Sequence, residues 1–294
     1  HELLFFTDGA KVYDRYGNLM QDGNKIYLSN KDIQTTFTDT SKGQGILSNP
    51  VCLPFQQHSD SFLMLHRSQN DTVPSYDIYY SVIDMKENTG LGKVVTTSQS
   101  LARRMSGTNI AACKHANGKA WWLVARMVNS NKYVKWLLDE WGKLSVVDTQ
   151  QVGIEYFNPD FLVQNVFSFR GNLFITGGHY HTSIMHFDRC SGQLQFIDSI
   201  PTPYDSLFNG TTGIQLSPSG RYLYISSYNN LDQYDLSATD ISASRVRLMD
   251  LRIHNIFRKI MYMQTTPNNK IFISGYGSPI PFSIIHQPDS AGWA

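Results

Sequence analysis

Gly213-Ile-Gln-Leu-Ser-Pro-Ser-Gly-Arg-Tyr-Leu-Tyr-Ile-Ser-Ser-Tyr-Asn-Asn-Leu-Asp-Gln-Tyr-Asp-Leu236 holds three short apolar runs separated by two turn clusters. The runs are Gly213 to Leu216, Tyr222 to Ser226 and Leu231 to Leu236. Ser217-Pro218-Ser219-Gly220 and Tyr228-Asn229-Asn230 lie between them. Runs of this length, bounded by Gly, Pro, Asn and Ser, read as β-strands joined by tight turns.

The middle run recurs along the chain. Copies begin at Leu3, Ser61, Ala120, Asn172, Arg221 and Lys270, with spacings of 58, 59, 52, 49 and 49. A strand-rich period of this size predicts an all-β propeller of four-stranded, WD-like blades. Continuous runs such as Trp121-Trp122-Leu123-Val124 and Leu63-Met64-Leu65 suit a blade covered on both faces. Tyr133, Trp136, Leu137 and Glu140 sit at helical spacing, but the repeat places them on a strand.

Six blades are countable over one domain, residues 1–294, with boundaries near 1–48, 49–96, 97–152, 153–203, 204–252 and 253–294. Seven is the alternative, completed by residues from elsewhere. The opening at His1, inside a blade, reads as an excerpt of a longer multidomain chain. Gln21 to Pro50, rich in Asn, Asp, Thr, Ser and Gly, reads as a long surface loop.

Composition excludes some function classes. The 294 residues are 41% hydrophobic and 17% charged, with a net charge of +1. The basic residues form no stripe interleaved with aromatics, which argues against a nucleic-acid partner. No apolar run reaches the ~20 residues of a membrane span. Cys52, Cys113 and Cys190 fall in three different blades and read as buried small hydrophobes. A Cys52–Cys113 bridge between adjacent blades is the alternative.

Several stretches resemble one protein group. Leu3-Leu-Phe-Phe-Thr-Asp-Gly9 with Val12 to Met20 resembles the opening blade of Bacteroidota surface proteins. These proteins carry a gliding-motility-associated, type IX secretion sorting domain. Tyr79 to Met85, Cys113 to Gly118 and Gln215 to Gly220 are similar to later blades of the group, and His286 to Gly292 to its closing motif. The resemblance implies an exported, modular, extracellular or cell-surface protein, and brings no catalytic residues.

Loops after each second strand and into each first strand converge on one rim. There Asp8, Arg67, Arg126, His179, His181, Tyr228 and Tyr276 form a mixed polar and aromatic set suited to a protein or glycan partner. His179, His181 and His186 form no His-Glu-x-x-His motif, and Asp188 reads as the end of a strand, so no metal is expected, and no cofactor either. Asp8, Asp77, Asp84 and Asp232 are the carboxylates available to a glycosidase. Asp84 and Asp235 occupy equivalent places in their repeats and read as turn hydrogen-bonders. Gly275-Tyr-Gly277 precedes Ser-Pro-Ile-Pro, where no helix can open, so a phosphate loop is excluded.

The expected function is a non-enzymatic recognition or structural module. One alternative is a propeller glycosidase or lyase acting at the channel mouth. Another is a structural unit of a surface filament or adhesin, through self-assembly or through neighbouring domains.

Overall fold

The turn clusters close antiparallel strand pairs, and among the described residues the strands gather into six sheets. The computed structural model describes residues 2–8, 11–26, 50–69, 76–157, 163–202, 210–227, 229–250, 259–276 and 283–292. The first sheet holds β1 (Phe5–Thr7) and β2 (Val12–Asp14). The second holds β3 (Val51–Pro54), β4 (Ser61–Gln69), β5 (Tyr76–Asp84) and β6 (Lys93–Met105). The third holds β7 (Ala111–Lys114), β8 (Trp121–Arg126), β9 (Lys132–Leu138) and β10 (Leu144–Gln151). The fourth holds β11 (Asn165–Phe167), β12 (Leu173–Gly177), β13 (His181–Phe187) and β14 (Leu194–Pro201). The fifth holds β15 (Thr211–Leu216), β16 (Tyr222–Ser227), β17 (Asn230–Asp235) and β18 (Val246–Asp250). The last holds β19 (Lys259–Thr265), β20 (Ile271–Tyr276) and β21 (Ser283–Ile285).

Each sheet is an antiparallel meander with its strands in chain order. The innermost strands β3, β7, β11, β15 and β19 all border one central cavity. Sheets radiating from a shared channel are the blades of a β-propeller. Four of the six sheets have four strands, whereas the first shows two and the last three among the described residues. The segment Tyr133 to Leu138 lies in β9, so the repeat outweighed its helical spacing. Of the expected loop from Gln21 to Pro50, the first residues pack inward: Gly23–Lys25 is a 3-10 turn and Ile26 is buried. Residues 27–49 lie outside the described set.

Alternation along one strand explains the continuous apolar runs. On β8, Trp121, Leu123 and Ala125 pack with blade 2, and Trp122 and Val124 pack with blade 4. On β16, Leu223 and Ile225 face blade 4, while Tyr222 and Tyr224 face blade 6. Period-2 side-chain direction with two buried faces leaves no polar position in the run. Among the described residues five apolar clusters result, one at each seam between consecutive sheets.

The seams are also locked by repeated polar and glycine devices. The outer turns begin with an aspartate that accepts backbone N–H groups: Lys86 N to Asp84 (2.9 Å), Trp141 N to Asp139 (2.9 Å), Cys190 N to Asp188 (2.8 Å) and Ser237 N to Asp235 (2.9 Å). Two of these turns end in a glycine at positive φ, against which an aromatic of the preceding blade lies. A Cβ on Gly142 would stand 2.7 Å from the Phe55 ring, and one on Gly192 2.6 Å from Trp122. Behind Gly192, the fully buried Lys135 donates to Gly192 O (2.7 Å) and Gln150 Oε1 (3.0 Å) and pairs with Asp148 (3.0 Å).

All three cysteines are free thiols. Cys113 is buried facing blade 4, whereas Cys52 is paired in register with Met64, which faces blade 1. Their side chains therefore diverge, and the bridge is excluded. Cys52 and Cys190 are exposed, which corrects the expectation of three buried thiols. Cys190 sits exposed in the outer turn headed by Asp188.

Candidate binding site at the channel mouth

The channel is held open by amides that link successive inner strands. Asn109 donates to Asn165 O (3.2 Å), and Asn165 donates back to Asn109 O (2.8 Å). Gln164 accepts from Ile214 N (3.0 Å) and Met263 N (2.9 Å) and donates to Met263 O (2.9 Å), tying blades 4, 5 and 6 together. Thr212 donates to Ile260 O (2.9 Å). These groups are saturated by backbone partners, so they are scaffold and leave little for a ligand.

Above them lies a cavity of about 640 Å³. Its walls are Val51, Leu53, Ile110, Ala112, Val166 and Leu216, and its outer lip is Trp121, Phe169, Ser217, Pro218, Thr266 and Pro267. The lip residues belong to the turns between first and second strands, or stand beside them. A second space of about 320 Å³ continues from the same Val51, Asn109 and Gln164 towards Tyr262 and Phe272. Volumes of this size hold a small ligand or a chain end. Among the described residues, the lining of both spaces contains no Asp, Glu, His, Cys, Lys or Arg.

Two aromatics mark the lip. Phe169 is 88% exposed at the tip of the turn from Ser168 to Gly171. Trp121 is half-buried, its indole N–H donating to Pro54 O (3.3 Å). Lys114 Nζ lies 3.9 Å from the Trp121 ring centroid and donates to Gln56 Oε1 (3.2 Å). Burial lowers the Lys114 pKa from its ordinary value. On the wall, Gln215 is buried, its Oε1 engaged by Leu216 N (2.9 Å).

The residues expected from the sequence lie elsewhere. Asp8 is exposed and closes its own turn, accepting from Lys11 N (2.7 Å) and the Tyr13 hydroxyl (2.9 Å). Arg67 and Arg126 are buried. Arg126 lies 3.8 Å from the Tyr156 ring centroid and donates to Ser106 Oγ (3.2 Å), Ser130 O (3.3 Å) and Gly177 O (3.5 Å). Arg67 lies 4.8 Å from the Tyr76 centroid and donates to Gly107 O. Each arginine thus reaches from its own blade to the backbone of another segment. His179 is half-buried in a turn, edge-on to Tyr180 at 4.5 Å, and His181 opens β13. Tyr276 ends β20, with its side chain outside the described set, and Tyr228 lies outside it altogether.

Among the described residues, the aromatic lip thus stands at the end of the channel opposite to the rim that carries this set. The sequence did offer a signal for this lip, a phenylalanine in a tight turn at Phe169. Trp121 gave no such signal, because beside Trp122 it reads as core.

No protein-family profile and no curated protein sequence matches the chain. Solved structures are similar in fold. A Bacteroides uniformis protein provisionally described as a 6-phosphogluconolactonase is 12% identical, with 80% of this chain and 83% of that chain covered and a TM-score of 0.46. A Lactobacillus plantarum protein is 14% identical over 77% of this chain and 67% of that one, with a TM-score of 0.49. The Dos1 propeller is 12% identical over 91% and 70%, with a TM-score of 0.46. Likenesses at this level carry no argument about function.

Proposed function

We propose that this propeller is a recognition module that holds its partner at the channel mouth and does not turn it over. One observation carries the reading: the described lining of the channel has an aromatic lip and no carboxylate, imidazole or thiol, and the cation Lys114 stands outside that lining on the Trp121 ring. General acid–base and nucleophilic catalysis need such groups within hydrogen-bond reach of the reacting atoms. Binding by a stiff ring needs only shape, aromatic surface and a few directed polar groups.

The test is a glycan and peptide array probed with the native chain and with Phe169→Ala. Saturable binding that weakens in the variant is expected. Steady turnover of a lactone or glycoside by the native chain would overturn the reading. Six blades closing one ring belong to the same proposal, and a crystal structure with a seventh sheet would revise it. Export to the cell surface, implied by the resemblance, is checked by protease shaving of intact cells.

A second reading has its own observation. The outer strands of adjacent blades expose Val146 and Val147 on β10 and Phe196 and Ile197 on β14. An apolar flank suits lateral assembly. Sedimentation at rising concentration tests it, with a persistent monomer as the contrary result.

A further inference from the structure

The lip of the channel carries positive charge that the channel itself lacks. Lys114 stands on Trp121 and donates to one neutral side-chain acceptor, Gln56. Arg170 follows Phe169 in the exposed turn of blade 4. Arg189 reaches the same turn, donating to Arg170 O (3.0 Å). A Cβ on Gly171 would lie 3.4 Å from Cys113 Cβ, so this turn packs at the end of β7, on the face opposite to the one from which Lys114 reaches Gln56. None of these three cations forms a described ion pair, whereas the nearby Lys119 pairs with Glu140 (3.2 Å). The carboxylates of the surrounding turns are occupied. Asp139 accepts from Trp141 N and Lys143 N, and Asp188 from Cys190 N and Ser191 Oγ.

We propose that the channel mouth binds an anionic sugar, its ring laid against the aromatic lip and its anionic group paired with Lys114, with Arg170 and Arg189 adding positive potential from the other face of blade 3. The inference rests on the channel-mouth reading above and adds the ligand class. An ammonium partly withdrawn from water, with donors left over, gains most from an anion. Exposed aromatic carbon beside it suits the apolar face of a sugar ring. The cavity admits a chain end and offers no broad flat surface to a folded protein. A carboxylated sugar and a phosphorylated one present the same chemistry to these cations.

The experiment is calorimetric titration of the native chain with tetragalacturonate, glucose 6-phosphate, neutral cellotetraose and an oligoglutamate. It is repeated on Lys114→Met and Arg170→Ala, whose folding is checked by thermal melting. Saturable binding of an anionic sugar is expected, weakened about tenfold or more in Lys114→Met and weakened by salt. The first two arms separate carboxylate from phosphate. Equal binding of cellotetraose, unchanged in Lys114→Met, would overturn the inference and leave the channel-mouth reading intact. Binding of oligoglutamate alone would replace the sugar by an acidic peptide and overturn it. No binding in any arm would remove both.

Discussion

Blade 3 carries a basic side chain against an aromatic ring at each end, and the two fare differently. Arg126, at the end of β8, is fully buried and donates to two carbonyls and a hydroxyl. Lys114, at the end of β7, is half-buried, with Gln56 as its one side-chain acceptor among the described residues. The rings lie at nearly equal distances, 3.8 and 3.9 Å. The aromatic contact therefore does not distinguish them. What differs is how far protein acceptors already satisfy the cation. A guanidinium ringed by backbone acceptors is a seam between blades. An ammonium with spare donors at an open lip is a place for an anion.

Substitutions at the two ends test that contrast, and the largest effect belongs to the buried one. Arg126→Ala is expected to cost on the order of 3 kcal/mol or more, since it leaves both a cavity and orphaned acceptors. Chemical denaturation measures this, and a loss below ~1 kcal/mol would place Arg126 with Lys114 as a dispensable cation.

The buried basic groups also predict a pH dependence. Burial lowers the His66 pKa to about 4, and its Nε2 lies 3.1 Å from Ser81 Oγ. The folded state then binds fewer protons than the unfolded state between that value and the ordinary ~6.5. Stability is full above ~6.5 and falls as pH drops towards 4, by about 2 kcal/mol at pH 5. His66→Gln is expected to flatten this slope, and an unchanged slope would assign it to other groups.

Gly192→Ala sharpens the account of the seams. It combines a φ of +74° with a Cβ 2.6 Å from the Trp122 ring. A loss of about 1–3 kcal/mol is expected. Gly220→Ala, also at positive φ but with nothing within 4 Å, is expected to lose less, and equal losses would discount the ring contact. The smallest effect belongs to the lip. Phe169→Ala and Lys114→Met are expected to change stability by less than ~0.5 kcal/mol, because they lie at the surface.

Much of the fold was legible because it depends on patterns that a sequence displays. Tight turns show as Ser-Pro-Ser-Gly, and two-faced burial shows as unbroken runs such as Leu63 to Leu65. The aspartate turns were legible at Asp84 and Asp235 because equivalent positions repeat. The site was less so. The repeat describes each blade alike from end to end, so it does not say which end of the channel carries an aromatic lip. Arginines are mostly exposed in proteins, so Arg67 and Arg126 read as rim groups. Their burial depends on Tyr76 and Tyr156, which lie 9 and 30 residues away in the chain. Cys52 and Cys113 lie in neighbouring blades, but only the strand faces reveal that their side chains diverge.

The same division is visible at the end of the chain. Gln150 clasps Leu194 through both amide atoms, at 2.6 and 2.9 Å, across the seam of blades 3 and 4. Gln233 makes the same clasp with Ser290 O and Gly292 N, both at 2.8 Å. There the segment after β21 takes the place of an outer turn. Tyr224, donating to Pro288 O (2.8 Å), holds that segment further. Packing at a seam thus calls for an amide clasp, and different parts of the chain supply its partner.

The most direct test is hydrogen–deuterium exchange of the native chain with and without tetragalacturonate or glucose 6-phosphate. Added protection is predicted at residues 112–116 and 168–172, around the lip, with none at 176–182 on the opposite rim. Protection confined to the opposite rim would contradict the account and return the site to the His179 and His181 loop.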